Sequence, residues 1–167
     1  MRLATLAPVG ILIVGLFGFA ILEQRGGAQV ANPAPKDKAL YLSAADVNAV
    51  AQDLASKKES THQFFAEKTY NMEVRRLVGP QPILVHAHKS DFMVIRDGEG
   101  TFVTGGELVG GKPGGGDEGD MRGESIRGGV SRVLKAGDVM FVPAGVPHAF
   151  VETKDHVTFV MTRYDTK

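Results

Sequence analysis

The residues best suited to bind a metal ion are histidines, because the chain contains no cysteine that could supply a thiolate. Two of the five histidines, His86 and His88, form the sequence His-Ala-His. Alternate residues of a β-strand point to the same face, so a strand over 83–88 would direct both imidazoles toward one ion. A third histidine, His148, opens a later candidate strand after the turn-rich run 143–147. These three residues are the candidate metal ligands.

The two other histidines have surroundings of a different kind. His62 lies in a polar stretch, and His156 lies in a turn that precedes the last candidate strand. We interpret both as residues outside the site.

A period-two pattern of apolar residues predicts that the second half of the chain is all-β. The segments are rich in Val, Ile and Phe and are bounded by Gly, Pro and Asp. The pair Asp97-Gly98 indicates a hairpin turn between two of them. About eight short strands at close spacing favour an antiparallel barrel or jelly roll. The candidate strands are 72–78, 83–88, 92–96, 100–104, 130–134, 138–142, 148–152 and 157–163.

The region 29–71 is predicted to contain a linker and one helix. Residues 32–38 include two prolines and read as the linker. Ser43 is suited to be an N-cap, and an apolar face at helical spacing follows it, formed by Val47, Val50, Ala51 and Leu54. The barrel is then expected over 72–167.

The segment 105–129 interrupts the strand pattern, since 11 of its 25 residues are glycine. One interpretation is a flexible solvated loop. The alternative is a lid over the mouth of the barrel, with Asp120, Arg122 and Glu124 as its polar side chains.

The N-terminal residues 1–28 are predicted to be a secretory signal. A single positive residue, Arg2, precedes an apolar run to Leu22, and Gly26 and Ala28 supply small residues for cleavage. An uncleaved membrane anchor is the alternative, because the apolar run is about 20 residues long. Either interpretation predicts an exported domain, periplasmic or secreted if cleaved and facing outward if anchored.

The charge balance argues against nucleic acid as a partner. Lys and Arg number 19, Asp and Glu also number 19, and no basic block occurs. Contact with a membrane is expected only through the N-terminal segment.

The run from Gly137 to His148 resembles the second conserved motif of the cupins, G(x)5PxG(x)2H(x)3N. Gly137, Pro143, Gly145 and His148 all stand at the family spacing, and Glu152 replaces the terminal Asn. The segment around His86 resembles the first motif, G(x)5HxH(x)3–4E(x)6G. The resemblance covers about residues 72–163.

The first motif departs from the family pattern at its glutamate. Two positions stand at the family distance before a glycine: Asp91 before Gly98, and Met93 before Gly100. We favour Asp91, because it is a carboxylate and because Gly98 then falls in the predicted turn. Asp91 is therefore the fourth candidate ligand.

The resemblance implies a double-stranded β-helix with one divalent transition metal ion, for which His and carboxylate ligands suit Fe, Mn, Ni, Cu or Zn. Strand parity predicts an apolar pocket beside it, formed by Met93, Ile95, Phe150 and Glu152. Similar cupins include dioxygenases, isomerases and decarboxylases. Three functions stay open: a metalloenzyme acting on a small molecule, most naturally a dioxygenase; a non-catalytic module that binds a small ligand; and a barrel whose histidine cluster is vestigial. The resemblance also implies a homodimer.

Overall fold

A computed structural model describes residues 32–166 of the chain. The predicted signal or anchor at 1–28 lies outside these residues and stays a prediction. Among residues 32–166, no helix is long and apolar enough to cross a membrane.

The helix predicted after Ser43 is present as α1, Ala44–Lys57. Ser43 Oγ accepts a hydrogen bond from the amide of Asp46, and the Asp46 carboxylate accepts one from the Ser43 amide. This reciprocal pair forms a capping box, which satisfies amide donors that the first turn leaves unpaired. Val47 and Leu54 of α1 pack against Val74 on the outer face of the barrel.

Within residues 32–166, eleven strands follow the helix. They are β1 (Thr61–Ala66), β2 (Tyr70–Leu77), β3 (Ile83–Val85), β4 (Lys89–Thr104), β5 (Glu107–Val109), β6 (Lys112–Pro113), β7 (Met121–Gly123), β8 (Ser125–Arg127), β9 (Val130–Lys135), β10 (Val139–Val142) and β11 (His148–Asp165). Every pairing among them is antiparallel.

The two longest strands, β4 and β11, organise the barrel. They pair with each other along most of their length. β4 also pairs with β10 and then β9, while β11 pairs with β2 and β3. Each long strand bends so that its two ends join different neighbours, which produces the jelly-roll arrangement. The barrel core includes Met93, Ile95, Phe102, Phe159 and Met161.

The predicted hairpin turn at Asp97-Gly98 is wrong, because both residues lie within the continuous strand β4. Gly98 has φ +72°, and a Cβ built there would lie 2.1 Å from the carbonyl oxygen of His156. The glycine therefore allows β4 to bend against β11 at an irregularity in their register rather than to reverse direction.

The glycine-rich segment is built into the fold. β7 pairs with β3 of the main sheet, β6 pairs with β7, and β5 pairs with β8 in a separate two-stranded sheet. Asp120 lies within the segment and is only 3% exposed. The segment is thus a set of short, largely exposed strands with a buried anchor at Asp120, which differs from the expected flexible loop in having regular strand pairing.

The sheet begins before Met72, the expected start of the barrel. β1 at Thr61 lies inside the region assigned to linker and helix, and it pairs with β2. The segment Thr61–Ala66 contains His, Gln and two adjacent Phe, and all of its residues are only partly buried. It therefore lacks the alternation of apolar and polar residues that predicts a strand.

Candidate metal centre

Three side chains from different elements meet at one end of the barrel interior. His86 directly follows β3, Asp91 lies near the start of β4, and His148 is the first residue of β11. All three are buried, with exposures of 4%, 2% and 8%. One potential ligand atom from each lies within 4.8 Å of the other two.

The turn before β11 brings the two histidines together. The amide of Gly145 donates a hydrogen bond to the carbonyl of His86 at 2.7 Å. The next residue back, Ala144, donates its amide to Ser90 Oγ at 3.0 Å. Gly145 has φ +84°, a conformation that favours glycine, so the Pro-x-Gly of the motif shapes the backbone that docks on His86.

The outer nitrogen of each imidazole is held by an acceptor. Nδ1 of His86 lies 2.9 Å from Oδ2 of Asp120, and Nδ1 of His148 lies 2.9 Å from the carbonyl of Val146. A carbonyl or carboxylate only accepts, so each neutral imidazole carries its proton on Nδ1. Each Nε2 then presents a lone pair to the interior, as an imidazole ligand requires.

Asp91 faces both of these lone pairs. Its Oδ2 lies 3.5 Å from Nε2 of His148 and 4.0 Å from Nε2 of His86. Among residues 32–166, Nε2 of His86 has no hydrogen-bond partner.

Arg163 holds the same carboxylate from the opposite side. Its Nε donates to Oδ1 of Asp91 at 2.6 Å, and its Nη2 donates to Oδ2 at 3.0 Å. The two residues are cross-strand partners in the β4–β11 pairing, so strand register creates the contact. Arg163 is not among the residues predicted from the sequence; an Arg at an inward position of the last strand is the signal that indicates it.

The electrostatic surroundings favour the ligand forms of His86 and Asp91. Burial and the positive charge of Arg163 lower the pKa of His86, which favours the neutral imidazole. Burial alone would raise the pKa of Asp91, but the contacts with His148 and Arg163 outweigh it and hold that pKa below its ordinary value. The ionised carboxylate of Asp91 therefore lies beside two imidazole nitrogens, and Nε2 of His86 is buried without a hydrogen-bond partner among residues 32–166.

This donor set fits a divalent transition metal ion. Two imidazoles and one carboxylate are ligands that such ions accept, and a cation would relieve the convergence of three electron-rich atoms. The residues that would hold it are His86, Asp91 and His148.

His88 lies outside this group. β3 ends at Val85, so His86 and His88 occupy a bend rather than a strand, and the parity argument does not apply to them. The His88 side chain is exposed, whereas His86 is turned inward by its bond to Asp120. His62 and His156 are also outside the group; His156 contacts Asp97 and Asp155 at the surface.

A cavity of about 270 Å³ adjoins His148 and Asp91. Its apolar wall includes Met93 and Phe150, as the parity of their strands predicted. Ile95 is 1% exposed and packs in the core instead of lining the cavity. Glu152 is exposed on the outside, because a register irregularity between Phe150 and Glu152 disrupts the alternation of faces.

The sequence predicts a role for Asp120 only in the lid interpretation of the glycine-rich segment. Asp120 contacts His86 and accepts hydrogen bonds from the amides of Ala87, Gly116 and Asp117. Of the other two side chains assigned to that lid, Arg122 lines the cavity and Glu124 is exposed. The cavity has two more arginines in its lining, Arg75 and Arg163, and sequence reasoning identified neither.

Comparisons with known proteins agree on the fold. No protein-family model matches the sequence, and no curated protein matches it. Among solved structures, hydroquinone 1,2-dioxygenase PnpCD in complex with Cd²⁺ and 4-hydroxybenzonitrile is similar with a TM-score of 0.53 and 20% identity, over 81% of this chain and 83% of that one. A Bacillus halodurans protein gives a TM-score of 0.53 at 8% identity, over 83% and 88% of the two chains.

A third solved structure is similar over a smaller part of the chain. The cupin domain of Schizosaccharomyces pombe Cnp3 is similar with a TM-score of 0.46 and 14% identity, and the match spans 64% of each chain.

The chain has the cupin fold, a double-stranded β-helix with one short helix packed on its outside. The sequence motif around His148 and the antiparallel jelly-roll topology support the same assignment.

Proposed function

We propose that this protein is a metal-dependent cupin that acts on a small organic molecule in the cavity beside His148. One observation carries the proposal: Nε2 of His86, Nε2 of His148 and Oδ2 of Asp91 converge in a buried site, and Nε2 of His86 has no hydrogen-bond partner among residues 32–166. The metal would be Fe, Mn, Ni, Cu or Zn, since these ions accept imidazole and carboxylate ligands.

A bound ion would supply Lewis acidity and coordination positions left open by three protein ligands. The protein's own residues prepare the surroundings. Asp120 and the Val146 carbonyl orient the two imidazoles, and Arg163 orients Asp91 and keeps it ionised. The apolar residues Phe102, Phe150 and Phe159 line the cavity and limit water near the reacting molecule.

The reaction class we propose is a dioxygenase-type oxidation. Two histidines and one carboxylate with open positions are the ligand set of many non-haem Fe(II) oxygenases. The similar solved structure with the name hydroquinone 1,2-dioxygenase supports the same class through its fold. The aromatic lining of the cavity suits an aromatic or other flat organic substrate.

Metal analysis followed by oxygen uptake tests the proposal. Purified protein is expected to contain, or to take up, about one transition metal ion per chain, and His148→Ala is expected to lose it. The Fe(II)-loaded protein is then assayed for oxygen consumption against phenols, hydroquinones, diketones and thiols. A folded protein that binds none of Fe, Mn, Ni, Cu and Zn would rule out the proposed metal centre. A metal-loaded protein that consumes no oxygen with any of these substrates would rule out the proposed dioxygenase-type reaction.

A non-catalytic binding module is the second candidate. The observation in its favour is that Arg163 already donates to both oxygens of Asp91. The negative charge of the carboxylate is therefore compensated without a metal. Tight binding of one compound by the metal-free protein, with no turnover after metal loading, would support this module over the enzyme.

Export is proposed from the sequence of residues 1–28 alone. Expression of the full chain with cell fractionation and mass spectrometry of its N-terminus tests it: a chain starting near residue 29 outside the cytoplasm is expected for a cleaved signal. A full-length cytoplasmic chain would contradict it. The homodimer implied by the family resemblance stays a prediction, which sedimentation velocity checks.

A further inference from the structure

The cavity beside the candidate metal centre is lined by three arginines and one carboxylate. Arg75, Arg122 and Arg163 contribute the positive charges, and Asp91 contributes the negative one. The rest of the lining is mainly aromatic and aliphatic. A pocket with this composition favours a ligand with an apolar body and a negative group.

Of the two inner arginines, Arg163 makes side-chain hydrogen bonds to a carboxylate and Arg75 makes none among residues 32–166. The guanidinium of Arg163 donates two hydrogen bonds to the carboxylate of Asp91. Arg75 lies on the inward face of β2, opposite Phe159 of β11, and its Nε is buried without a hydrogen-bond partner among residues 32–166. A carboxylate oxygen of Glu73 lies 3.9 Å from this nitrogen, which is too far for a hydrogen bond.

Glu73 is a weak counterion for Arg75. Burial raises the pKa of Glu73, which favours its neutral form. Burial also lowers the pKa of Arg75, a sign that the guanidinium lacks full compensation in the folded protein. A buried charged donor without a hydrogen bond is costly, and an anion that enters the cavity and accepts one would relieve that cost.

Arg122 extends the positive surface toward the entrance. It is exposed, lies on β7 opposite Leu84, and lines the same cavity. Arg122 is the more exposed of these two arginines, and its charge adds to a positive cavity lining that favours anions.

We propose that the cavity binds a small organic carboxylate, with its carboxylate group on Arg75 and its apolar body against Phe102, Phe150 and Phe159. The planar fork of a guanidinium matches a carboxylate through two parallel hydrogen bonds. Cavities of roughly 150 Å³ hold benzene, so about 270 Å³ accommodates a phenyl ring with a short acid chain. This inference names the substrate class of the proposed function, but the Arg75 contact needs no metal.

Calorimetric titration of the metal-free protein tests the carboxylate site. The probes are benzoate, phenylacetate, 3-phenylpropanoate and hexanoate, each paired with its neutral amide, at up to about 10 mM. At least one acid is expected to bind about tenfold or more tightly than its amide, because a charge-assisted hydrogen bond is lost with the charge. Equal binding of acid and amide, or no binding of any acid, overturns the proposal.

Variants of two neighbouring arginines provide the residue-level test. Arg75→Met is expected to weaken acid binding about tenfold or more and to abolish the preference over the amide. Arg76→Met is the matched control: Arg76 is the next residue of β2, does not line this cavity, and lies beside α1 at a separate surface pocket. The control is expected to bind like the wild type. Acid binding by Arg75→Met at wild-type affinity contradicts the assignment.

Two further measurements test whether the loss of binding comes from misfolding and whether the ligand is a carboxylate. Arg75→Lys keeps the charge and loses the fork, so it is expected to bind the acid with intermediate affinity while circular dichroism reports an intact fold. Phenyl phosphate is expected to bind more weakly than the best acid; a tenfold tighter phosphate would reassign the ligand class. These titrations use metal-free protein, so they test acid binding independently of metal binding. Failure of the carboxylate site and failure of the metal centre can therefore be told apart.

Discussion

Arg163 and Asp91 are opposite each other in the β4–β11 pairing and form a two-point ion pair inside the barrel, with distances of 2.6 Å and 3.0 Å. The carboxylate in this pair is also the one that faces His86 and His148. Asp91 thus belongs both to a structural ion pair and to the candidate metal centre. Arg163 fixes the orientation of the carboxylate, and its second oxygen is shared between the guanidinium and the imidazoles.

Replacement of Arg163 by Met is expected to lower the free energy of unfolding by about 3 kcal/mol, because it leaves Asp91 as an uncompensated buried carboxylate. Urea denaturation of the metal-free variant measures the loss. The double variant Arg163→Met, Asp91→Asn is expected to recover part of it, since neither charge then remains. Wild-type stability of the single variant would show that the pair does not compensate Asp91.

Metal binding should also distinguish the two roles of Asp91. A saturating divalent metal is expected to raise the unfolding midpoint of Arg163→Met more than that of the wild type. In the variant the ion would compensate the buried negative charge of Asp91, which Arg163 no longer balances. Differential scanning calorimetry with and without Zn²⁺ provides the comparison. An equal metal-induced shift in both proteins would contradict a ligand role for this carboxylate.

Asp120 is expected to act as a positioning residue for His86. Asp120→Asn places an amide donor or a weaker acceptor at Nδ1, so the ring is no longer held with its lone pair on Nε2, and metal affinity should fall about 10–100-fold. Chelator competition measures the affinity, and imidazole ¹⁵N shifts report the tautomer of His86. Asp117→Asn is the control, since Asp117 contacts Lys89 at the surface. Unchanged affinity and an unchanged tautomer in Asp120→Asn would exclude the positioning role.

His88 provides a matched test of the ligand set. His86→Ala is expected to abolish stoichiometric metal binding, while His88→Ala is expected to retain it, because the His88 side chain is exposed and lies outside the group of three. Metal content of the two purified variants decides the matter. Loss of the metal in His88→Ala would restore the three-histidine site that the sequence predicts.

Gly98 is expected to tolerate no side chain. An added Cβ would meet the His156 carbonyl at 2.1 Å, and the residue has φ +72°, so Gly98→Ala should destabilise the barrel by about 3 kcal/mol or more. Gly79→Ala is the control, with φ +70° and no atom within 4 Å of the added carbon. It should show only the conformational cost of about 1–2 kcal/mol. Similar losses in both variants, measured by urea denaturation, would contradict the close approach of β4 and β11.

The sequence was most informative where neighbouring residues determine structure. Ser43 and Asp46 are three residues apart and fix the start of α1. The Pro-x-Gly-x-x-His pattern fixes the turn that leads to His148, since a positive φ at Gly145 and restricted prolines act locally. Asp91 was chosen over Met93 from chemistry and spacing, and the structure brings Asp91 together with the two histidines.

The sequence was least informative where a bulge or bend breaks a regular pattern. Parity assigned His88 and Glu152 to the interior, but the end of β3 at Val85 and the irregularity after Phe150 change which face each side chain joins. A one-residue irregularity reverses every later assignment along a strand. The hairpin expected at Gly98 failed because the same glycine also suits a bend within a strand.

The sequence by itself determined the chemistry available to this protein. The absence of cysteine and the histidine motifs limited any transition-metal site to imidazole and carboxylate ligands, and the alternating apolar pattern specified a barrel. The tertiary structure decided which ligands meet and what surrounds them. Asp120 reaches His86 across 34 residues, and Arg163 reaches Asp91 across 72. Such contacts depend on the register of strands far apart in the chain, which no local pattern records.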